Sequence, residues 1–193
     1  MSELTQKFKT QATILGGLVG TMWAVMIINT VLFRGQLNNF GIAPHNMVGL
    51  RGILFAPFLH GDFGHLVSNT MPFIVLGWLV MLAETTDILV VTGLSMLIGG
   101  AGVWFFGRAG TSHIGASGVV FGFLGYLLMR GYFDRKISSI LISLFVFSIY
   151  GTVLFGILPG KAGISWEGHL FGFLGGALAA RLSAPESAKT YYK

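Results

Sequence analysis

Residues 109–129 read AGTSHIGASGVVFGFLGYLLM, a run without a single Asp, Glu, Lys or Arg. That is the length a helix needs to cross a ~30 Å hydrocarbon core at 1.5 Å per residue. Outward from this run, residues 12–33, 63–83, 88–107 and 137–160 form further charge-free stretches of at least 20 residues each. A sixth apolar piece, 168–180, reaches span length when extended upstream through Glu167 and Trp166 to residue 162. The pattern predicts an all-α polytopic membrane protein with six transmembrane helices.

Composition agrees. Of 193 residues, 53% are hydrophobic and 10% charged, whereas a soluble domain carries about a quarter charged residues. The 29 glycines suit packed membrane helices. A soluble enzyme, a disordered chain and a disulfide scaffold are excluded. With no cysteine there is no thiol nucleophile and no thiolate metal site. The net charge of +5 does not indicate a nucleic-acid partner, because the basic residues are scattered between apolar runs. They serve topology instead. With the N-terminus inside, Lys7, Lys9, Arg130, Arg135, Lys136, Arg181, Lys189 and Lys193 are inside, against Arg34, Arg51, Arg108 and Lys161 outside. The positive-inside rule then gives N-in and C-in.

Three segments follow: a cytoplasmic N-terminal piece at 1–11, one six-helix membrane domain at 12–182, and a cytoplasmic tail at 183–193 expected to be loose. The first span is too long for a signal-peptide core and is read as retained. The 34–62 connection is too long for an idle turn and is expected to fold onto the outer face. No inverted repeat or low-complexity segment occurs.

Ionisable groups inside a bilayer are costly and are functional candidates by default. Ser117 sits between small residues in GASG, 115–118, and 13 positions before Arg130, about 20 Å above the inner face and so about 10 Å below the outer one. His169 lies 12 positions before Arg181, about 18 Å above the inner face. Asn69 lies at matching depth on the second span, with His65 one turn above it on the same face. All three spans run in one direction and point their partially positive N-termini at this layer, which favours a developing negative charge. Gly118, Gly122 and Gly125 on the fourth span, and Gly172 and Gly176 on the sixth, form small-residue stripes that let the helix backbones approach.

This constellation suggests a serine–histidine dyad. His169 takes the Ser117 proton as the hydroxyl attacks a carbonyl, then returns it to the leaving amine. The Ser117 amide with His65 and Asn69 holds the oxyanion. No carboxylate is at hand to orient the imidazole, and Phe121, one turn below Ser117, is placed to stack on it.

Blander readings compete for each residue alone. A serine between glycines usually serves helix packing, His169 reads as a packed histidine, and His65 with Asn69 as a local pair. The conjunction at one depth favours function. His60 is read as a loop-ordering group, His113 as a residue of the outer mouth, and Arg51 as either a headgroup contact or a loop-ordering group. Trp104 and Trp166 read as interface anchors. A metal site lacks H-E-x-x-H and carboxylate neighbours, and an aspartyl mechanism lacks two carboxylates at depth.

RGILFAPFLHGDFGHLVSN at 51–69, GASG at 115–118 and GHLFGFLGG at 168–176 together resemble the rhomboid intramembrane serine proteases. The resemblance covers about 130 residues and implies the six-helix rhomboid core. It also implies hydrolysis of peptide bonds in or beside transmembrane segments of single-pass membrane proteins, among membrane lipids and with neither metal nor cofactor. It places the protein in the bacterial inner membrane with a water-filled site opening to the outside, the fifth helix moving at its entrance. By it, Ser117 is the nucleophile and His169 the base, while His65 and Asn69 are the oxyanion donors. Gly115, Gly118, Phe121, Gly172 and Gly176 support them. Many members carry Tyr where Phe121 stands, and the Trp-Arg pair frequent in the first loop is absent. The alternatives are a catalytically silent rhomboid-like protein that binds membrane helices, for which Ser117 and His169 are unnecessary, and a solute channel, which lacks charged rings.

Overall fold

The Ser2 hydroxyl accepts the Thr5 amide and starts α1, Glu3–Val31, in the computed structural model, which describes residues 2–160 and 163–185. The helix is continuous through residues 11 and 12, because the polar segment ahead of the apolar run is itself made of good helix formers. Gln11 is buried there and donates to the Met81 carbonyl at 2.9 Å. The connection to the next long helix holds 3₁₀ turns at Gln36–Phe40, Met47–Arg51 and Ala56–Phe58 and the short α2, Gly52–Phe55. Then come α3 (Phe63–Val80), α4 (Asp87–Phe106), α5 (Ser117–Asp134), α6 (Ile137–Tyr150) and α7 (Trp166–Leu182). A 3₁₀ segment, Gly151–Ile157, extends α6.

Among the described residues, four helices are long and apolar enough to cross a membrane: α1, α3, α4, and α6 with its extension. The outward side chains of α6 are those of a lipid-facing helix, with Leu144 61% and Phe147 57% exposed. These are the helices of an integral membrane protein. Two expected spans fall outside the four. The run 109–129 is helical only from Ser117, because 109–116 turns through left-handed Gly110 and Gly115 and pairs His113 with Ile42 in an isolated bridge. α7 begins at Trp166, its Ser165 cap accepting the Gly168 amide at 3.3 Å. The upstream end expected at residue 162, Lys161 and the tail beyond residue 185 lie outside the described residues.

α5 is the core helix, buried without interruption from Val119 to Leu127, and α3, α4, α6 and α7 pack around it. Its seam with α7 is made of glycine. A Cβ added to Gly172 would collide with the Gly118 carbonyl, and one on Gly176 with the Gly122 carbonyl. One added to Gly99 of α4 would meet the Gly172 Cα at 3.3 Å. Backbone packed against backbone gains dispersion energy without side-chain entropy loss, the mode available where lipid is as apolar as leucine. α6 contrasts, with only Ser139 and Val146 buried.

The long connection is tied down at both ends of its path. Asn29 of α1 donates to Asn38 Oδ1 at 3.0 Å and accepts the Leu37 amide at 2.9 Å. Asn38 in turn donates to the His60 carbonyl at 3.2 Å. Arg51 donates to the Asn39 carbonyl at 3.1 Å and lies 4.3 Å over the Phe40 ring, so it orders the loop. Trp104 Nε1 donates to the Asn46 carbonyl at 2.9 Å and anchors the loop to α4.

At the opposite end of the bundle Asp87 is buried at the start of α4. It accepts from Tyr126 Oη at 2.5 Å and Arg130 Nη1 at 2.8 Å, both on α5, and from Ser183 Oγ at 3.2 Å, just past α7. Arg130 also pairs with Asp134 at 3.6 Å, and Asp134 accepts from Ser139 at 2.6 Å. A buried carboxylate is tolerable only when so partnered, and this one joins three helices.

Candidate active site

Gly115 decides where α5 begins. Its φ of +117° is one that a side chain rarely adopts, and its amide donates to the Ala56 carbonyl at 2.9 Å. A Cβ there would stand 2.7 Å from the His65 ring. The chain then enters the helix through Ala116, whose carbonyl accepts the Val119 and Val120 amides. Ser117 is therefore the first residue of α5, and its amide belongs to the opening turn, where amides lack partners within the helix.

His169 is the fourth residue of α7 and is buried. Its Nε2 lies 2.9 Å from Ser117 Oγ and its Nδ1 lies 3.0 Å from the Gly156 carbonyl, in the 3₁₀ segment. The seam allows this distance, since Gly118 on α5 faces the Gly168 carbonyl of α7 closely enough that an added Cβ would lie 3.3 Å from it. Phe121, one turn into α5, stacks its ring on His169 with centroids 4.1 Å apart and planes 9° apart.

His65 and Asn69 stand in the first two turns of α3, which Asp62 caps by accepting the His65 amide at 2.8 Å. Asn69 Nδ2 spends one hydrogen on the His65 carbonyl at 2.9 Å, and its second hydrogen remains. The starts of α3, α5 and α7 thus meet at one place, with their positive dipole ends toward it. The same place is the floor of a cavity of about 820 Å³ lined by Ser117, His169, His65, Asn69, His113 and Glu167 among others.

Glu167 is buried on the cavity wall and accepts a 3.4 Å hydrogen bond from Ser165. His113, in the loop before α5, meets Thr111 Oγ1 at 2.8 Å. Burial lowers its pKa, with Glu167 opposing. His60, 1% exposed in the connection before α3, packs edge-on against the His65 ring at 5.0 Å. Neither of its ring nitrogens meets a partner at hydrogen-bond geometry, although the Phe58 backbone is near enough to oppose the loss of its proton. Burial, helped by His65, lowers its pKa to about 4. Among the described residues no group of three His, Asp or Glu side chains is gathered to hold a metal.

Two participants escaped the sequence reading. The Gly156 carbonyl has no sequence signal, since backbone acceptors are common to every residue. The partnering of Asp87 was open in principle, because Tyr126, Arg130 and Asp134 recur at four-residue spacing on one face of α5.

The profile of the Rhomboid domain matches residues 47–186. The chain belongs to the rhomboid family. An uncharacterized protein of Mycobacterium tuberculosis is 41% identical to this rhomboid over 196 residues, covering 94% of this chain and 81% of the relative. One of Mycobacterium leprae is 43% identical over 164 residues, covering 80% and 65%. A Bacillus subtilis protein named "Putative rhomboid protease YdcA" is 26% identical to this rhomboid over 190 residues, covering 93% and 91%.

Proposed function

We propose that this rhomboid is a serine endopeptidase of the membrane, cleaving peptide bonds in or near the transmembrane segments of single-pass proteins. The observation that carries the proposal is the 2.9 Å approach of Ser117 Oγ to His169 Nε2 on the floor of a cavity into which Asp62, Asn69, Arg108 and Glu167 also face. A protein that only held helices would have no use for a hydroxyl and an imidazole so paired. In the reaction Ser117 Oγ attacks the scissile carbonyl carbon while its proton passes to His169 Nε2. The oxyanion faces the Ser117 amide, Asn69 Nδ2 and the His65 ring. Collapse breaks the C–N bond, His169 gives its proton to the leaving amine, and water repeats the sequence on the acyl-enzyme. The scissile segment is extended, because a helical peptide bond has its carbonyl already hydrogen-bonded.

The topology belonging to this reading is six spans, N-in and C-in, with the cavity opening outward from a bacterial plasma membrane. It is supported by the distribution of basic residues and by the bacterial relatives. The test is purified protein in detergent with a fluorogenic transmembrane substrate and a serine-directed fluorophosphonate. Wild type is expected to cleave and to label; Ser117→Ala should do neither, and His169→Ala should lose cleavage. Cleavage that survives Ser117→Ala overturns the proposal.

A further inference from the structure

We infer that the backbone carbonyl of Gly156 is the group that orients His169 and fixes its protonation pattern, standing where serine hydrolases commonly place a carboxylate. The inference rests on the Ser117–His169 reading and adds a positioning group to it.

A neutral imidazole carries one proton on either of two nitrogens, and only a bare Nε2 accepts from Ser117. The hydroxyl cannot settle which nitrogen is bare, since it donates or accepts equally well. A carbonyl oxygen has no hydrogen, so its 3.0 Å contact with Nδ1 is a bond only when Nδ1 carries the proton. The Gly156 carbonyl therefore selects the tautomer that leaves Nε2 free to act as base. When Nε2 takes the serine proton, the same carbonyl dipole faces the Nδ1–H of the imidazolium. The neighbouring carboxylate, Glu167, is bonded from Ser165 instead.

The residue at 156 is suited to this and to little else. A Cβ there would lie 2.9 Å from Phe121 Cζ and 3.3 Å from His169 Nδ1. Any side chain would press on the stacked rings and lift the carbonyl away. The carbonyl also sits on a lightly held element: no residue of Gly151–Ile157 is buried, and α6 before it buries only two. The base is thus completed by the least buried part of the bundle while the nucleophile stands on the most buried. Displacing the 3₁₀ segment disables the base without moving Ser117 or any side chain of the cavity floor.

The decisive variant replaces the amide joining Gly156 to Ile157 by an ester, using the α-hydroxy analogue of isoleucine. It leaves every side chain intact and makes the Gly156 carbonyl a weaker acceptor. The readouts are steady-state cleavage and nitrogen NMR of histidine-labelled protein in detergent, the His169 signals assigned with His169→Gln. In wild type the Nδ1–H form should dominate at neutral pH. The ester should shift His169 toward the Nε2–H form and lower kcat about five- to tenfold with KM unchanged, as expected for a weakened hydrogen bond. Gly156→Ala should do the same more strongly. A wild-type ring protonated on Nε2, or an ester variant with unaltered tautomer and kcat, overturns the inference. If wild type cleaves no substrate, the protease reading fails while the tautomer measurement still decides this one.

Discussion

Phe121 lies flat on His169, centroids 4.1 Å apart and planes 9° from parallel. The ring holds the imidazole in the plane that presents Nε2 to Ser117, with a contact that carries no hydrogen bond. Aromatic pairs of this kind contribute about 0.5–1.5 kcal/mol beyond the area they bury. Phe121→Leu is therefore expected to lower kcat about two- to tenfold. Phe121→Tyr, which keeps the ring, should stay near wild type. Turnover of the fluorogenic substrate by equal amounts of folded protein checks both.

The seam between α5 and α7 should be intolerant of a single methyl group. Gly172→Ala puts a Cβ into the Gly118 carbonyl, and the backbones must part. A cost of about 1–3 kcal/mol is expected from overpacking. Because Ser117 and His169 sit at the end of the same seam, activity should fall as well. Gly93, with no atom within 4 Å of its added Cβ, is the control: Gly93→Ala should leave turnover unchanged and thermal stability equal or slightly raised, since alanine suits a helix interior better than glycine.

His60 makes stability depend on pH. Its pKa falls from the ordinary 6.5 to about 4 in the folded protein, so between those values the unfolded chain binds the extra proton. Stability is complete above pH 6.5 and is lost as pH falls toward 4, by about 1.4 kcal/mol per unit. Thermal unfolding in detergent at pH 7.5 and pH 5 should show the drop in wild type. In His60→Phe, which keeps an apolar ring at the site, the difference should shrink. An equal drop in both proteins removes His60 as the cause.

Asp87 predicts a separation of stability from chemistry. Asp87→Ala leaves Tyr126 without its acceptor and Arg130 with Asp134 alone, and leaving a buried donor unsatisfied costs about 1–3 kcal/mol. The network is at the end of the bundle away from Ser117. Tm should fall, whereas fluorophosphonate labelling per folded molecule at low temperature should stay at the wild-type level.

The helices were legible in the sequence to the extent that charges mark their ends. Asp62, Asp87 and Asp134 each stand within one residue of a helix terminus. The count failed at 109–116, where Thr, Ser, His and Gly are uncharged and so passed as lipid-compatible, although Gly110 and Gly115 are turn residues. It also placed the first helix too far along, since polar helix formers extend a span beyond its apolar part. The grouping of Ser117, His169, His65 and Asn69 was readable because each was a polar residue measured from a charged marker. The contacts of His169 with Gly156 and of Asp87 with Tyr126 join residues 13 and 39 positions apart. Periodicity puts Tyr126, Arg130 and Asp134 on one face of α5 but names no partner for that face; the pairings themselves exist only once helices are packed.

α7 is held at three levels: His169 bonds at its first turn, glycines mesh along its middle, and Ser183 reaches Asp87 just past its end. A rod fastened this way resists sliding lengthwise and rolling. The spacing between nucleophile and base is then a property of helix register, kept by the glycine mesh rather than by side-chain adjustment around the pair, and it outlasts loss of the Asp87 contact at the far end. Mutational scans should record that difference as a helix where nearly every small residue is irreplaceable, beside α6, where apolar side chains interchange freely.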